Sequence, residues 1–320
     1  NLCTLVQHGS TGSVSIYPPR EHCNSQGVND MGCTPEFLPG YQPAKDSSGD
    51  LFQNCVDGTL KFLYIAGEDP IQSYYKPQVV KEALRTVPFL VVSDIFMTDT
   101  ARMADLILPS STFAEKDGTY TNMSRHVQRV AAAVIPQGLS KPDFDILIEL
   151  AEALGKPFEN TDIASVQQEI GSVAPIYKGV FPGDKSVQWK PASTNANPQF
   201  RINGTSTGQN GASGYPFTLQ TNNHMFHIGS YSQYAKALVD IGPECIAELH
   251  PDDAKELKIS CGDNIVVESP EGKVEVKVKT SRVTSRGMLY IPKNWTTVPV
   301  NALRNGEEGL INVKISKASG

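Results

Sequence analysis

Three short apolar runs, each closed by small polar or acidic residues, constrain this chain more than any other feature. They are LKFLYIAG (60–67), PFLVVSD (88–94) and LILPSS (106–111). Unbroken apolar runs of this length, bounded by Gly or Pro, read as strands buried on both faces. Between the first two lies EDPIQSYYKPQVVKEALRTV, in which VVKEAL has helical spacing, and TARMAD before the third reads as a short helix. Strands alternating with helices in this way imply a parallel sheet with right-handed crossovers.

The residues that close each run then matter, because ligands of open parallel sheets bind at the carboxyl ends of the strands. Those ends are Gly67-Glu68-Asp69-Pro70, Ser93-Asp94 through Thr98, and Pro109-Ser110-Ser111. Gly67 lets a backbone approach closely. Asp69 and Asp94 can accept hydrogen bonds from an amino group or a ribose hydroxyl, although Asp69, Asp94 and Ser110 would each also serve as helix caps. The whole stretch from Ser93 to Asn122 sets acids and hydroxyls between buried strands. Such groups need hydrogen-bond partners.

The rest of the chain divides by composition. Residues 1–54 are rich in Gly, Pro, Ser and Asn and read as an irregular lead-in. Residues 55–160 form the α/β domain, ending on DFDILIELAEALG (143–155). This is an amphipathic helix with Leu147, Ile148, Leu150, Ala151 and Leu154 on one face and Gly155 where a C-cap belongs. Residues 161–213 lose this rhythm and read as a polar, Gly-rich excursion. From 214 to 320 the pattern is β: FTLQT, IAELH, GMLYIP, LINVKIS, and a hairpin in NIVVESPEGKVEVKVKT turning at SPEG. HPDDAKELKI is a short helix starting at His250 or Pro251. Short strands this closely spaced suggest a small barrel.

Bulk properties exclude some functions. A net charge of −6 and a pI near 5.6 argue against a nucleic-acid partner. No apolar run approaches the roughly 20 residues of a membrane helix. The opening NLCTLVQHGS has no secretory pattern, which points to the cytoplasm, and it reads as cut from something longer. Cys3, Cys23, Cys33, Cys55, Cys245 and Cys261 are scattered and read as free thiols rather than as a metal or Fe–S site. His224 and His227 lie three apart with no third ligand nearby, so a histidine in a hydrogen-bond network is the simpler reading. There is no Walker motif, no GxGxxG and no Ser–His–Asp spacing.

NSQGVNDMG, PGYQ, GEDPIQ, VVSDIFMTDTARMADLILPSSTFAEKDGTYTN and VQRV resemble the large subunit of formate dehydrogenases and the G subunit of bacterial NADH–quinone oxidoreductase. Both belong to the molybdopterin oxidoreductase superfamily. ELHPDDAKELKISCGDNIVVESPEGKV resembles that superfamily's C-terminal dinucleotide-binding barrel. The resemblance implies an α/β, Rossmann-like parallel-sheet domain followed by a six-stranded double-psi β-barrel. It implies a bis(molybdopterin guanine dinucleotide) cofactor with molybdenum or tungsten, contacted by the lead-in from its side of the cleft.

By match to the family's motifs, Gly67, Glu68, Asp69, Ser93, Asp94, Thr98, Ser110 and Asp143 would hold a guanosine arm. Asn223, His227, Gly229, Ser230 and Asn301 would lie along the pterin arms. The hydroxyls of the Ser93–Ser110 stretch would then face a nucleotide. Arg20, followed by Asn24, Gln26 and Gly27, matches the loop that sets an arginine beside the metal, where a guanidinium can hold a carboxylate substrate, and His22, Asn24 and Gln26 of this loop would contact the cofactor.

Three departures lean toward the NADH dehydrogenase G-type branch, in which the fold persists as scaffold without pterin. Glu21-His22 stands where formate dehydrogenases have Gly-Gln, Asn223 stands at the position of a barrel arginine, and the ending VNALRNGEEGLINVKIS is short. The family's Fe–S cysteines and its metal-ligating Cys or selenocysteine would precede residue 1. The expected partners are therefore an N-terminal Fe–S catalytic half, or a split subunit carrying it, and further electron-transfer subunits.

Overall fold

The computed structural model describes residues 22–45, 50–181, 187–188, 214–227, 229–305 and 310–318. Two short strands, β1 (Phe37–Leu38) and β2 (Gln42–Pro43), pair antiparallel. β3 (Leu63–Ala66), β4 (Leu90–Asp94) and β5 (Leu106–Pro109) form a three-stranded sheet in that order. A second sheet joins β6 (Gly118–Thr121), β7 (His126–Val130) and β8 (Val187–Gln188). The remaining strands are β9 (Phe217–Asn222), β10 (Ile246–Leu249), β11 (Asn264–Glu268), β12 (Lys273–Thr280), β13 (Met288–Pro292) and β14 (Ile311–Lys317). They close into a six-stranded barrel in the order β10-β12-β11-β14-β9-β13.

These elements gather into two compact units that interleave along the chain. One holds residues 1–49 and 109–205, the other 50–108 and 206–320. The segment 55–160 is thus shared between them, cut at the end of β5.

In the second unit the apolar runs become strands as expected, but only β4 is buried throughout: β3 alternates between buried and more open positions, and β5 is partly exposed, with Leu106 at 42%. β3 and β4 pair in parallel, with Ala66 opposite Ser93, and all five residues of β4 are buried. The Pro77–Thr86 helix buries Val80, Ala83 and Leu84 in the core shared with Leu63, Ile65, Leu90 and Val92. TARMAD shortens to a single 3-10 turn, Ala101–Met103.

The barrel core alternates along its strands. Val274, Val276 and Val278 point inward while Lys273, Glu275, Lys277 and Lys279 face out. Leu249, Leu289, Ile291 and Val313 are fully buried there. The SPEG turn closes on the Ser269 amide bonding the Gly272 carbonyl at 2.9 Å. His250 caps the Pro251–Glu256 helix, its Nδ1 accepting from the Asp252 amide at 3.2 Å.

In the first unit three expectations change. The lead-in contains a helix, Ser25–Asp30, and it is anchored by a buried carboxylate. Asp30 accepts from Gln26 Nε2 at 2.7 Å, from the Tyr41 hydroxyl at 2.6 Å, and from Tyr177 at 2.7 Å. Tyr177 comes from the supposed excursion, which instead begins with an eleven-residue helix, Ile163–Val173, capped by Asp162. The Asp143–Ala153 helix does form, and Gly155 takes the left-handed φ of +70° that its C-terminus needs. Its buried residue, however, is Ile146, while Leu147 and Leu154 are 43% and 69% exposed. Periodicity named an apolar face but not the surface that would cover it.

The barrel makes a stability prediction. Leu289→Ala removes a fully buried side chain and should lower unfolding free energy by about 2–5 kcal/mol. Val283→Ala, at a position 91% exposed, should stay within about 0.5 kcal/mol. Urea denaturation followed by far-UV circular dichroism checks both.

Candidate functional site

The strand-end residues of β3 and β4 meet the barrel's long loop within the second unit. Asp94 closes β4 at 4% exposure. Its Oδ1 accepts from the Phe96 amide at 3.1 Å, the turn in which an aspartate satisfies the backbone two residues on. Its Oδ2 accepts from the Tyr231 hydroxyl at 2.9 Å. Burial, then the Asp94 charge, pushes the Tyr231 phenol far above its ordinary value, so it stays a donor. Phe96 lies between two tyrosines of the loop, edge-on to Tyr231 at 5.6 Å and stacked on Tyr234 at 4.3 Å.

Asp69, 3% exposed, sits at the head of the Pro70–Ser73 turn but does not cap it with its side chain. Oδ1 accepts instead from the Thr100 hydroxyl at 2.6 Å and the Thr100 amide at 3.3 Å. Burial raises its pKa, and the Thr100 bonds only partly offset this. Thr98 accepts from the Ala101 amide at 3.1 Å. Ser93 is fully buried, and Glu68 is exposed and accepts from the Ser73 hydroxyl. Gly67 has φ +64° and faces open space, with nothing within 4 Å of where a Cβ would stand.

From the barrel side, Asn301 Nδ2 donates to the carbonyls of Gln72 at 2.8 Å and Ser73 at 3.1 Å, reaching the same strand-end region. His227 is buried in a hydrogen-bond network, with Nε2 2.7 Å from the Gly242 carbonyl and Nδ1 3.1 Å from Ser232 Oγ. Its ring packs on Trp295 with centroids 4.4 Å apart. Asn223 Oδ1 and the His227 carbonyl both accept from Asn294 Nδ2, at 2.8 and 3.1 Å, so one amide pins the loop's base. Gly229 and Ser230 lead into the turn that carries Tyr231.

The first unit holds the other predicted residues. Ser110 donates to Asp143 at 2.6 Å, and Lys116 pairs with the other carboxylate oxygen at 2.7 Å. Asn24 Oδ1 accepts from the Thr121 amide at 2.8 Å, and a Cβ on Gly27 would stand 2.4 Å from that same oxygen, so glycine is required there. Gln26 serves Asp30, and His22 is exposed. Arg20 lies outside the described residues. The first unit also has a cavity of about 1160 Å³ beside Arg129, Gln167 and Tyr177, and none of the predicted residues that the structure describes lines it.

The hydroxyl-rich stretch therefore finds many of its partners within the protein. Thr98, Thr100 and Ser110 are satisfied as above, Thr112 forms a capping box with Glu115, and Thr121 bonds the Tyr177 hydroxyl at 3.0 Å. Ser111 departs from this pattern: its Oγ is buried with no hydrogen-bond partner among the described residues. Sequence reasoning missed Tyr231, Tyr234, Phe96 and Thr100. The signal was the aromatic pair in SYSQY, three residues apart and directly after the named HIGS.

A parallel sheet with acidic strand ends, joined to a closed six-stranded barrel, defines the class. Residues 40–153 match the family described as molybdopterin oxidoreductase, and residues 217–314 match the molydopterin dinucleotide binding domain. The chain belongs to the molybdopterin oxidoreductase family. It is 32% identical to the F420-dependent formate dehydrogenase subunit alpha of Methanocaldococcus jannaschii, over 95% of this chain and 52% of that protein. It is 30% identical to the NADPH-Fe(3+) oxidoreductase subunit alpha of Geobacter sulfurreducens, over 99% of this chain and 39% of that one. The chain thus spans about half or less of the length of these relatives. Acetylene hydratase from Pelobacter acetylenicus has the same fold over 84% of this chain and 46% of its own, with a TM-score of 0.63 at 18% identity.

Asp69 gives a pH prediction. Its folded pKa lies above the ordinary 3.8, so its contribution to stability is complete below that value and is lost as pH rises through the folded pKa. Asp69→Asn keeps an oxygen for Thr100 and removes the titration. The variant should therefore gain stability relative to the parent as pH rises across that window and level off above it. Urea midpoints of both proteins over the acid range check this, since every other titrating group is common to the pair.

Proposed function

We propose that this chain forms the nucleotide-binding part of a molybdopterin-dependent oxidoreductase of the formate dehydrogenase type. The observation that carries the reading is the convergence of two matched domains on one spot. The carboxyl ends of β3 and β4 belong to the first, and the loop holding Tyr231 belongs to the second. The residues suit a large polar nucleotide. Two carboxylates are held in fixed orientation at strand ends, and Gly67 leaves open space at the end of β3.

In this reading Asp69 and Asp94, with Gly67, Glu68, Ser93 and Thr98 around them, hold the guanosine end. Asn223, His227, Gly229, Ser230 and Asn301 support the pterin end from the barrel. Ser110 and Asp143, the remaining residues that the resemblance assigns to a nucleotide, lie in the first unit and bond to each other. When bound, a bis(molybdopterin guanine dinucleotide) with molybdenum or tungsten would supply the two-electron chemistry. This chain's contribution is to bind and orient the group and to keep water from its nucleotide end. Electrons would pass to Fe–S clusters outside these residues, on further chain or on partner subunits.

The test is to purify the protein from a host that makes the cofactor and to measure released pterin and bound nucleotide. GMP released by acid hydrolysis, at about one equivalent or more, is the expected result. Asp94→Asn should reduce it severalfold in a preparation that circular dichroism shows to be folded. Absence of pterin from a well-folded preparation would overturn the reading in favour of a scaffold. A second expectation concerns Arg20. If it holds an anionic substrate, Arg20→Lys in an active enzyme should lower kcat/KM at least roughly tenfold, because an ammonium lacks the planar fork. The melting temperature should not change.

A further inference from the structure

The hydrogen bond between Tyr231 and Asp94 does more than hold a loop. Asp94 is the carboxylate best placed to receive a nucleotide base, yet it is closed over, at 4% exposure, with both oxygens occupied. One occupant, the Phe96 amide, is fixed by the backbone turn itself. The other is a side chain on a short loop turn, Ser230–Tyr234, reaching across from the barrel. A phenol O–H aimed at a carboxylate oxygen presents the same chemistry as an N–H on the Watson–Crick edge of a purine. The neighbours suit a movable clasp. Tyr231 meets Phe96 only edge-on at 5.6 Å, whereas Tyr234, 43% exposed, stacks flat on the ring at 4.3 Å.

We propose that Tyr231 is a place-holder for the base, a positioning residue that keeps the Asp94 carboxylate desolvated and oriented and yields its hydrogen bond to the nucleotide on binding. This rests on the reading of Asp94 as the base anchor. The ligand class follows from the acceptor. A carboxylate with one oxygen released takes a base with adjacent N–H donors, which guanine has at N1 and N2 and adenine has not. Tyr231 therefore sets the threshold for binding, because a base must replace its donor, and the carboxylate behind it sets the preference for guanine, because adenine would bring its N1 lone pair against the anion beside its amino donor. A buried carboxylate left without that donor is strongly disfavoured.

The experiment is calorimetric titration of the parent, Tyr231→Phe, Asp94→Asn and the double variant with GDP, and with ADP as the control base. Melting temperatures are recorded with and without nucleotide. Tyr231→Phe should bind GDP more tightly than the parent, by about tenfold, the size expected when a competing charge-assisted hydrogen bond is removed. It should melt lower alone, and GDP should raise its melting temperature more than it raises the parent's. The gain should vanish in the Asp94→Asn background and be absent with ADP.

If Tyr231→Phe binds GDP no better than the parent while Asp94→Asn binds it worse, the place-holder is overturned and the anchor stands. If Asp94→Asn binds GDP as the parent does, or no variant binds it, the nucleotide reading of Asp94 fails and the proposal falls with it.

Discussion

A carboxylate held out of water at the end of a buried strand is the constraint on which the second unit depends. β4 is buried along its whole length, so the acid that follows its apolar residues is drawn inside with them. An ionised group there is tolerated only when its oxygens are bonded. Phe96 supplies one donor from the same turn, and Tyr231 supplies the other from a loop 137 residues on. Satisfying Asp94 thus ties the barrel loop to the sheet, and Asn301 adds a second tie through two backbone carbonyls of the Pro70–Ser73 turn. These polar bonds give direction that apolar packing alone lacks, and they fix which loop faces which strand end.

The first unit uses the same device with different residues. Asp30 is fully buried and collects donors from Gln26, Tyr41 and Tyr177. Burial pushes the Tyr177 phenol well above its ordinary value, which keeps it a donor as Tyr231 is kept one. In each unit a segment with little apolar periodicity is held to a buried acid by phenols, Tyr41 and Tyr177 on Asp30 in one and Tyr231 on Asp94 in the other. This explains how the Gly-rich lead-in acquires a buried helix without a hydrophobic stripe of its own.

What was legible in the sequence follows from the range of the forces involved. Continuous apolar runs let β3, β4 and β5 be read directly as strands, although only β4 is buried along its whole length, and the alternation of β12 and the SPEG hairpin could be read as well. The Asp143–Ala153 helix was legible as a helix, but its buried face was not, because spacing reports amphipathicity and not the neighbour. The Ile163–Val173 helix escaped notice because IASVQQEIGSV mixes β-branched residues with Gly and Ser, and its N-cap Asp162 stands alone without a Glu or Gln three residues later. Phenol–carboxylate pairs 137 and 147 residues apart leave no local pattern at all. The strand-end acids were found because topology predicts where such groups gather. The residues that hold them were not.

The relatives differ in the reactions their names record. One carries F420 in its name and another NADPH and Fe(3+), yet each aligns with nearly all of this chain. A hydratase shares the fold at 18% identity. Under the proposed function, a rigid sheet end with bonded carboxylates would hold one large group irrespective of the chemistry at the group's far end. Among the hydroxyls that separate β4 from β5, Thr98 and Thr100 are committed to the protein's own amide and carboxylate groups, so the strand ends are oriented by the chain's own bonds.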